Sequence, residues 1–345
     1  MKAIQLFDKE DLRLVELPKP TIQADEILVR VKAAALCGTD VRMFKNGAAG
    51  ATANHPLTLG HEFAGIIEEV GAQVEIYKVG MGVCLQPNIG CGVCARCIGG
   101  QQHLCNDYRA FGINLPGAFA EYVVIPEDAV KKGNVAIIPE GVSFAEAAIA
   151  EPLSCVYNGF LKCNVKPGEF ALVVGAGPIG IMHAMLLDMA GAIVIVTDLS
   201  AERLSICKTI MPSVEIYSGD HLKSFINKKT EGRGLDIAVT ANPSPQAQTG
   251  VLELMNYGGR INFFGGVPKH LQPVPLDTNL IHYRELIVTG STRSSLQQYR
   301  RVLEFISHGL VKVEALVTHT YDLTDFKHAF DNALQAQGIK HIFVF

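Results

Sequence analysis

Apolar positions along the chain follow two different rhythms. In the first part, short runs over residues 3–7, 27–34, 63–70, 79–85 and 118–125 are set apart by glycines and prolines. Such runs between turn signals are the pattern of an antiparallel, barrel-like β domain. Ser143 is placed to cap a helix over residues 144–149, and Glu151-Pro152 opens a second helix reaching residue 162. Proline suits a first helical turn because its missing N–H has no partner to lose there. Pro167-Gly168 then marks a change of rhythm. Strands expected at Phe170–Val174, 192–197, 214–217, 235–239, 260–264 and 286–289 alternate with helical stretches. Six strands with helical crossovers are what a doubly wound parallel sheet needs. After Gly290 come an amphipathic helix over 296–308, a strand at 316–320, a helix over 324–336 and a strand at 341–345. This tail leaves the crossover pattern and is expected to return to the first domain. The reading is an α/β chain in which residues 1–155 and 291–345 form one domain and the crossover unit, 156–290, is inserted into it.

The first crossover carries chemistry. The strand Phe170–Val174 breaks at Gly175-Ala176-Gly177-Pro178-Ile179-Gly180 and runs into an apolar helix over 179–190. Gly175 permits the tight turn, Gly177 lets backbone approach a pyrophosphate, and Gly180 allows close helix–strand packing. The helix start, at Pro178 and Ile179, offers free N–H groups and partial positive charge to phosphates. The next strand ends at Asp198, at about the 20-residue spacing expected for a ribose ligand. Its carboxylate can accept from two ribose hydroxyls and would repel a 2′-phosphate, and Leu199 follows it, so NAD is the expected cofactor.

Composition narrows the function classes. The chain of 345 residues is 48% hydrophobic and 19% charged, with a net charge of −4, an ordinary composition for a chain with a large core. It has no long basic run, which argues against nucleic acid as a partner. Neither a signal-peptide pattern nor a bilayer-length apolar stretch is present, so no membrane association and a cytoplasmic location are expected. Nine cysteines in such a chain suggest metal binding or catalysis before disulfides. Four of them, Cys91, Cys94, Cys97 and Cys105, lie in a glycine-rich stretch with metal-ligand spacing. Four thiolates can close a tetrahedral structural zinc site with no open position.

Three further segments carry candidate ligands: Cys37-Gly38-Thr39-Asp40 after a strand, Gly60-His61-Glu62 before another, and Glu151-Pro152 at a helix start. Sequence alone does not bring them together. With the four-cysteine loop, Gly117-Ala118-Phe119-Ala120-Glu121-Tyr122, Glu151-Pro152-Leu153 and the glycine fingerprint, they occur in one order across most of the chain. In this the chain resembles the zinc-dependent medium-chain alcohol and polyol dehydrogenases. The resemblance implies a GroES-like β-barrel catalytic domain, a Rossmann domain, and two zinc ions per chain. It implies that Cys37 and His61 hold a catalytic zinc, with Glu62 or Glu151 as further ligand, that Thr39 passes the proton of the alcohol, and that Asp40 orients His61. Glu151-Pro152-Leu153 favours the polyol branch, where Arg203 resembles a residue packed near the adenine. Arg42-Met43-Phe44-Lys45-Asn46-Gly47 is similar to the galactitol-phosphate dehydrogenases, which leaves Arg42 or Lys45 as a phosphate contact or a surface charge. The expected reaction is hydride transfer between the secondary alcohol of a polyol or polyol phosphate and NAD. The alternatives are L-threonine or another secondary alcohol, or a non-catalytic member. The resemblance also implies a homodimer or homotetramer.

Overall fold

The strand Ile27–Ala35 is almost wholly buried and organises the first half of the chain. It pairs antiparallel with Glu62–Val70, Tyr122–Ile125 and Lys340–Val344. The computed structural model describes all 345 residues. By internal contacts they divide into two units, Met1–Ser154 with Ser294–Phe345, and Cys155–Arg293.

In the first unit a sheet runs in the order Val135–Ile137, Gly82–Leu85, Glu62–Val70, Ile27–Ala35, Lys340–Val344, Val317–Asp322, with Tyr122–Ile125 also pairing with Ile27–Ala35. A smaller sheet holds Asp11–Glu16, Lys2–Asp8 and Leu57–Thr58. Ile4, Leu6, Ile27, Phe63, Phe119 and Phe343 are among the side chains that fill the core. Each contributes about 1.5–3 kcal/mol by leaving water. Register then places the chemistry. Ala35 pairs with Glu62 on one side and with Ile342 on the other. The end of the strand therefore carries Leu36 and Cys37 to the place where Glu62 and Lys340 arrive.

Three expected elements differ in the structure. The strand expected over 79–85 begins at Gly82, because Gly80 turns the chain at φ 89°. The strand expected over 118–125 is Tyr122–Ile125, preceded by an isolated bridge between Ala3 and Ala120. The helices expected over 144–149 and 152–162 are one helix, Phe144–Cys163, with Pro152 in its interior. Proline removes one ladder hydrogen bond, yet Ala147, Ala148, Ile149, Leu153 and Val156 are fully buried on both sides of it. Their burial outweighs the lost bond.

The second unit is built on six parallel strands in the order Glu215–Tyr217, Ile193–Thr197, Phe170–Val174, Leu235–Thr240, Met255–Phe263, Ile287–Gly290. Leu172, Ile195, Ala238 and Ile261 lie in its core. The strand order reverses direction at Phe170–Val174, and ligands of such sheets bind outside the strand ends at the switch point. The glycine turn follows that strand. No helix of the chain is long and apolar enough to cross a membrane.

Candidate active site and metal centres

The four-cysteine loop closes on itself. Cys91 Sγ and Cys97 Sγ are 3.9 Å apart, and Cys94 Sγ and Cys105 Sγ 3.8 Å. A tetrahedron with metal–sulfur bonds of about 2.3 Å has edges of about 3.8 Å, so the spacing fits zinc. No disulfide forms, and all four cysteines are free. The loop also turns its amides to the sulfurs: Cys94 N donates to Cys91 Sγ and Cys91 N to Cys105 Sγ, both at 3.4 Å. Backbone N–H groups of Val93 and Cys94 draw the Cys91 thiol down to about 6, toward the thiolate that a metal needs, while burial pushes its neighbour Cys97 up to about 12. Gly90 is required by the same closure, since a Cβ there would lie 2.7 Å from Cys97 Sγ.

A second set of donors converges from two segments. Ligand atoms of Cys37, His61 and Glu62 all lie within 4.8 Å of one another. Cys37 caps the helix Gly38–Asn46, an element without a strong apolar rhythm that sequence reading passes over. Asp40, in its first turn, is completely buried and ties the segments together. It accepts from Cys37 N at 2.9 Å and from Gly60 N at 3.3 Å, and His61 Nδ1 lies 3.5 Å from it. Asp40 thus faces Nδ1 and leaves Nε2 as the nitrogen open to a metal, the arrangement that fixes ring orientation in metal sites. Burial lowers the His61 pKa, but the Asp40 carboxylate and the Cys37 sulfur outweigh it and raise the value well above ordinary histidine.

Glu62 is fully buried, and its two oxygens have different surroundings. Oε2 is held in a short ion pair by Lys340 Nζ, while Oε1 is buried without a hydrogen-bond partner. A metal ion would satisfy Oε1 and leave the ion pair intact, so the donor set fits zinc. Lys340 is itself buried and also donates to Leu36 O at 3.1 Å. Burial works against its charge, and Glu62, helped by Cys37 and Glu151, raises its pKa above the ordinary lysine value. Sequence reading missed Lys340, because nothing local to it signals a partner 278 positions away. Glu151 is buried at 6% exposure and lies outside the close three-residue set. Its carboxylate is near enough to act on Lys340. Thr39 is half-buried in the first turn after Cys37, and Arg42 Nη2 donates to its hydroxyl at 3.1 Å.

In the second unit, Gly180 packs where no side chain fits, since a Cβ would stand 1.7 Å from Gly175 O. Asp198 sits at the end of its strand with Oδ2 accepting from Ala176 N at 2.6 Å and Oδ1 from Ser200 N at 2.8 Å. Each carboxylate oxygen keeps a further lone pair for a ligand. Arg203 Nη1 lies 3.7 Å from the position a Gly177 Cβ would take, and its Nε is buried without a partner. Pro178 and Ile179 open the helix Pro178–Met189. The sequence-named residues of the glycine turn, Asp198 and Arg203 thus come together.

Two family models match the chain: one described as alcohol dehydrogenase GroES-like domain covers residues 23–136, and one described as zinc-binding dehydrogenase covers 178–308. The L-threonine 3-dehydrogenase of Legionella pneumophila subsp. pneumophila is 31% identical over 99% of both chains. The sorbitol dehydrogenase of Bacillus subtilis is 32% identical over 97% of this chain and 94% of its own. The chain belongs to the zinc-dependent medium-chain dehydrogenases. Among solved structures, an alcohol dehydrogenase from Escherichia coli CFT073, complexed with NADH, has a TM-score of 0.89 and 28% identity over 100% of this chain and 99% of that one. This dehydrogenase is therefore an enzyme acting on alcohols, with a GroES-like domain and a Rossmann sheet. Zinc- and nicotinamide-dependent oxidation is the family's chemistry, and the chain carries donor sets suited to both cofactors.

Proposed function

We propose that this dehydrogenase oxidises the secondary alcohol of a polyol, or of a polyol phosphate, to the ketose with NAD as hydride acceptor. The observation that carries the reaction is the converged donor set of Cys37, His61 and Glu62, with Glu62 Oε1 buried and unpartnered. In this reading these three residues hold the catalytic zinc, Glu151 stands beside it, and Cys91, Cys94, Cys97 and Cys105 hold a structural one. Zinc, when bound, supplies a Lewis acid that eases loss of the alcohol's proton, and NAD supplies the hydride acceptor. The chain's own residues do the rest. Asp40 orients His61, Lys340 keeps one oxygen of Glu62 occupied, and Thr39 takes the alcohol's proton. The glycine turn, Asp198 and Arg203 bind the adenosine half of NAD, with Asp198 selecting against a 2′-phosphate.

The polyol assignment is supported by the sorbitol dehydrogenase relative and by Glu151-Pro152-Leu153. L-threonine is the second reading, favoured by the relative of that activity. A homodimer or homotetramer is the proposed assembly; the strand Ile287–Gly290 leaves one edge of its sheet free, and Ile287 on it is exposed.

NADH formation measured with alditols, their phosphates, L-threonine and simple alcohols, with and without a zinc chelator, tests the reading. Chelator-sensitive turnover of one alditol class is expected; turnover of L-threonine alone would replace the polyol assignment. Cys37→Ser should lower kcat at least a thousandfold, about 4 kcal/mol in barrier, with NADH still binding. A variant of full activity would refute the metal assignment.

A further inference from the structure

Thr39 and Arg42 stand three residues apart in the helix Gly38–Asn46, the spacing at which side chains meet on one face. Arg42 Nη2 donates to Thr39 Oγ1 at 3.1 Å. A threonine hydroxyl has one proton to give and two lone pairs to receive with. Arg42 occupies one of those lone pairs. One lone pair and one O–H remain, which is the inlet and the outlet that a proton relay requires. Arg42 cannot be the outlet itself, because a guanidinium has no acceptor and does not lose its proton in proteins.

We propose that Arg42 is the positioning residue that gives proton transfer through Thr39 its direction. The inference rests on Thr39 being the first proton acceptor in the reaction proposed above. The alcohol's O–H bond breaks and its proton goes to the free lone pair of Thr39 Oγ1. Thr39's own proton leaves to water, so the hydroxyl is restored. The electron pair of the carbinol C–H bond passes with its hydrogen to the nicotinamide of NAD, which is reduced as the alcohol is oxidised. Arg42 keeps every proton throughout. A fixed cation next to Oγ1 disfavours positive charge there, so the outgoing proton leaves with or ahead of the incoming one. The same contact holds the hydroxyl in one rotamer, with its O–H turned away from the guanidinium.

Arg42 is exposed, so Arg42→Ala and Arg42→Gln should fold as the parent does. Each should lower kcat by about tenfold or more, part of the 10²–10⁴ that positioned proton transfer contributes. KM should stay within about threefold, and NADH affinity should not change. The solvent isotope effect on kcat should grow as proton transfer becomes limiting, and Arg42→Lys, which keeps a charged donor, should recover most of the rate. A readout without turnover is stopped-flow mixing of trifluoroethanol with the enzyme and NAD, the released proton followed with a pH indicator. Proton release on binding should be slower in Arg42→Ala than in the parent. That arm works even if no polyol is turned over, so failure of the substrate reading and failure of this one are separable. Unchanged kcat, isotope effect and rate of proton release would overturn the proposal. A rise in KM confined to phosphorylated alditols, with the other readouts untouched, would make Arg42 an anion contact and overturn it as well.

Discussion

Lys340 shows what a single residue can decide. Its ammonium, buried at 3% exposure, neutralises Glu62 Oε2, while Oε1 is buried without a hydrogen-bond partner in a carboxylate that lies close to Cys37 and His61. Lys340→Met would leave a buried carboxylate with no counter-charge, a change that costs about 3–5 kcal/mol when nothing else compensates. Zinc would compensate in part. We therefore expect the fall in Tm on Lys340→Met to be larger in chelator-treated protein than in zinc-loaded protein. Equal falls in both states would mean that Glu62 is not a ligand. The residue also marks where sequence reading stopped. Cys91, Cys94, Cys97 and Cys105 were legible because their spacing is local. Cys37, His61 and Glu62 were legible only through family resemblance. Lys340 reaches Glu62 because two strands flank Ile27–Ala35, and no short motif records that.

At the scale of elements, the strand–turn–helix around Gly175 to Gly180 was read from sequence alone, since each glycine has a local steric reason. Gly180→Ala would drive a methyl into Gly175 O, 1.7 Å away. The helix would have to move off the strand, taking with it the N-terminal amides that would meet a dinucleotide's phosphates. Loss of NADH fluorescence enhancement and a lower Tm are expected, and normal NADH affinity would contradict the packing role. The helix Phe144–Cys163 is the counter-example. Local rules split it at Pro152, and tertiary burial on both sides joined it. Propensity is a weak prior wherever a buried face is this continuous.

For the whole molecule, each unit contains a histidine that burial holds neutral. His183 is fully buried against Phe264, with neither ring nitrogen paired, and is pushed down to about 3. His341 is pushed down to about 4, chiefly by burial. The unfolded chain binds a proton at each near pH 6.5. Between that pH and the folded values, the unfolded state holds more protons. Stability is then fully present above about pH 6.5 and lost as pH falls, at up to about 1.4 kcal/mol per pH unit for each group. His183→Leu should flatten the acid side of a plot of Tm against pH. An unaltered slope would mean that the ring finds a partner on protonation.

The ion pair of Lys340 has a consequence in time as well as in space. A ribosome delivers Cys37, His61 and Glu62 long before it delivers residue 340, 278 positions after Glu62. Until then the strand Ile27–Ala35 lacks the neighbour Lys340–Val344, and Glu62 lacks its cation. The four-cysteine loop has no such dependence, because its ligands span Cys91 to Cys105. The four thiols are therefore complete on a much shorter nascent chain, whereas the ion pair of Glu62 forms only after the inserted unit has been made.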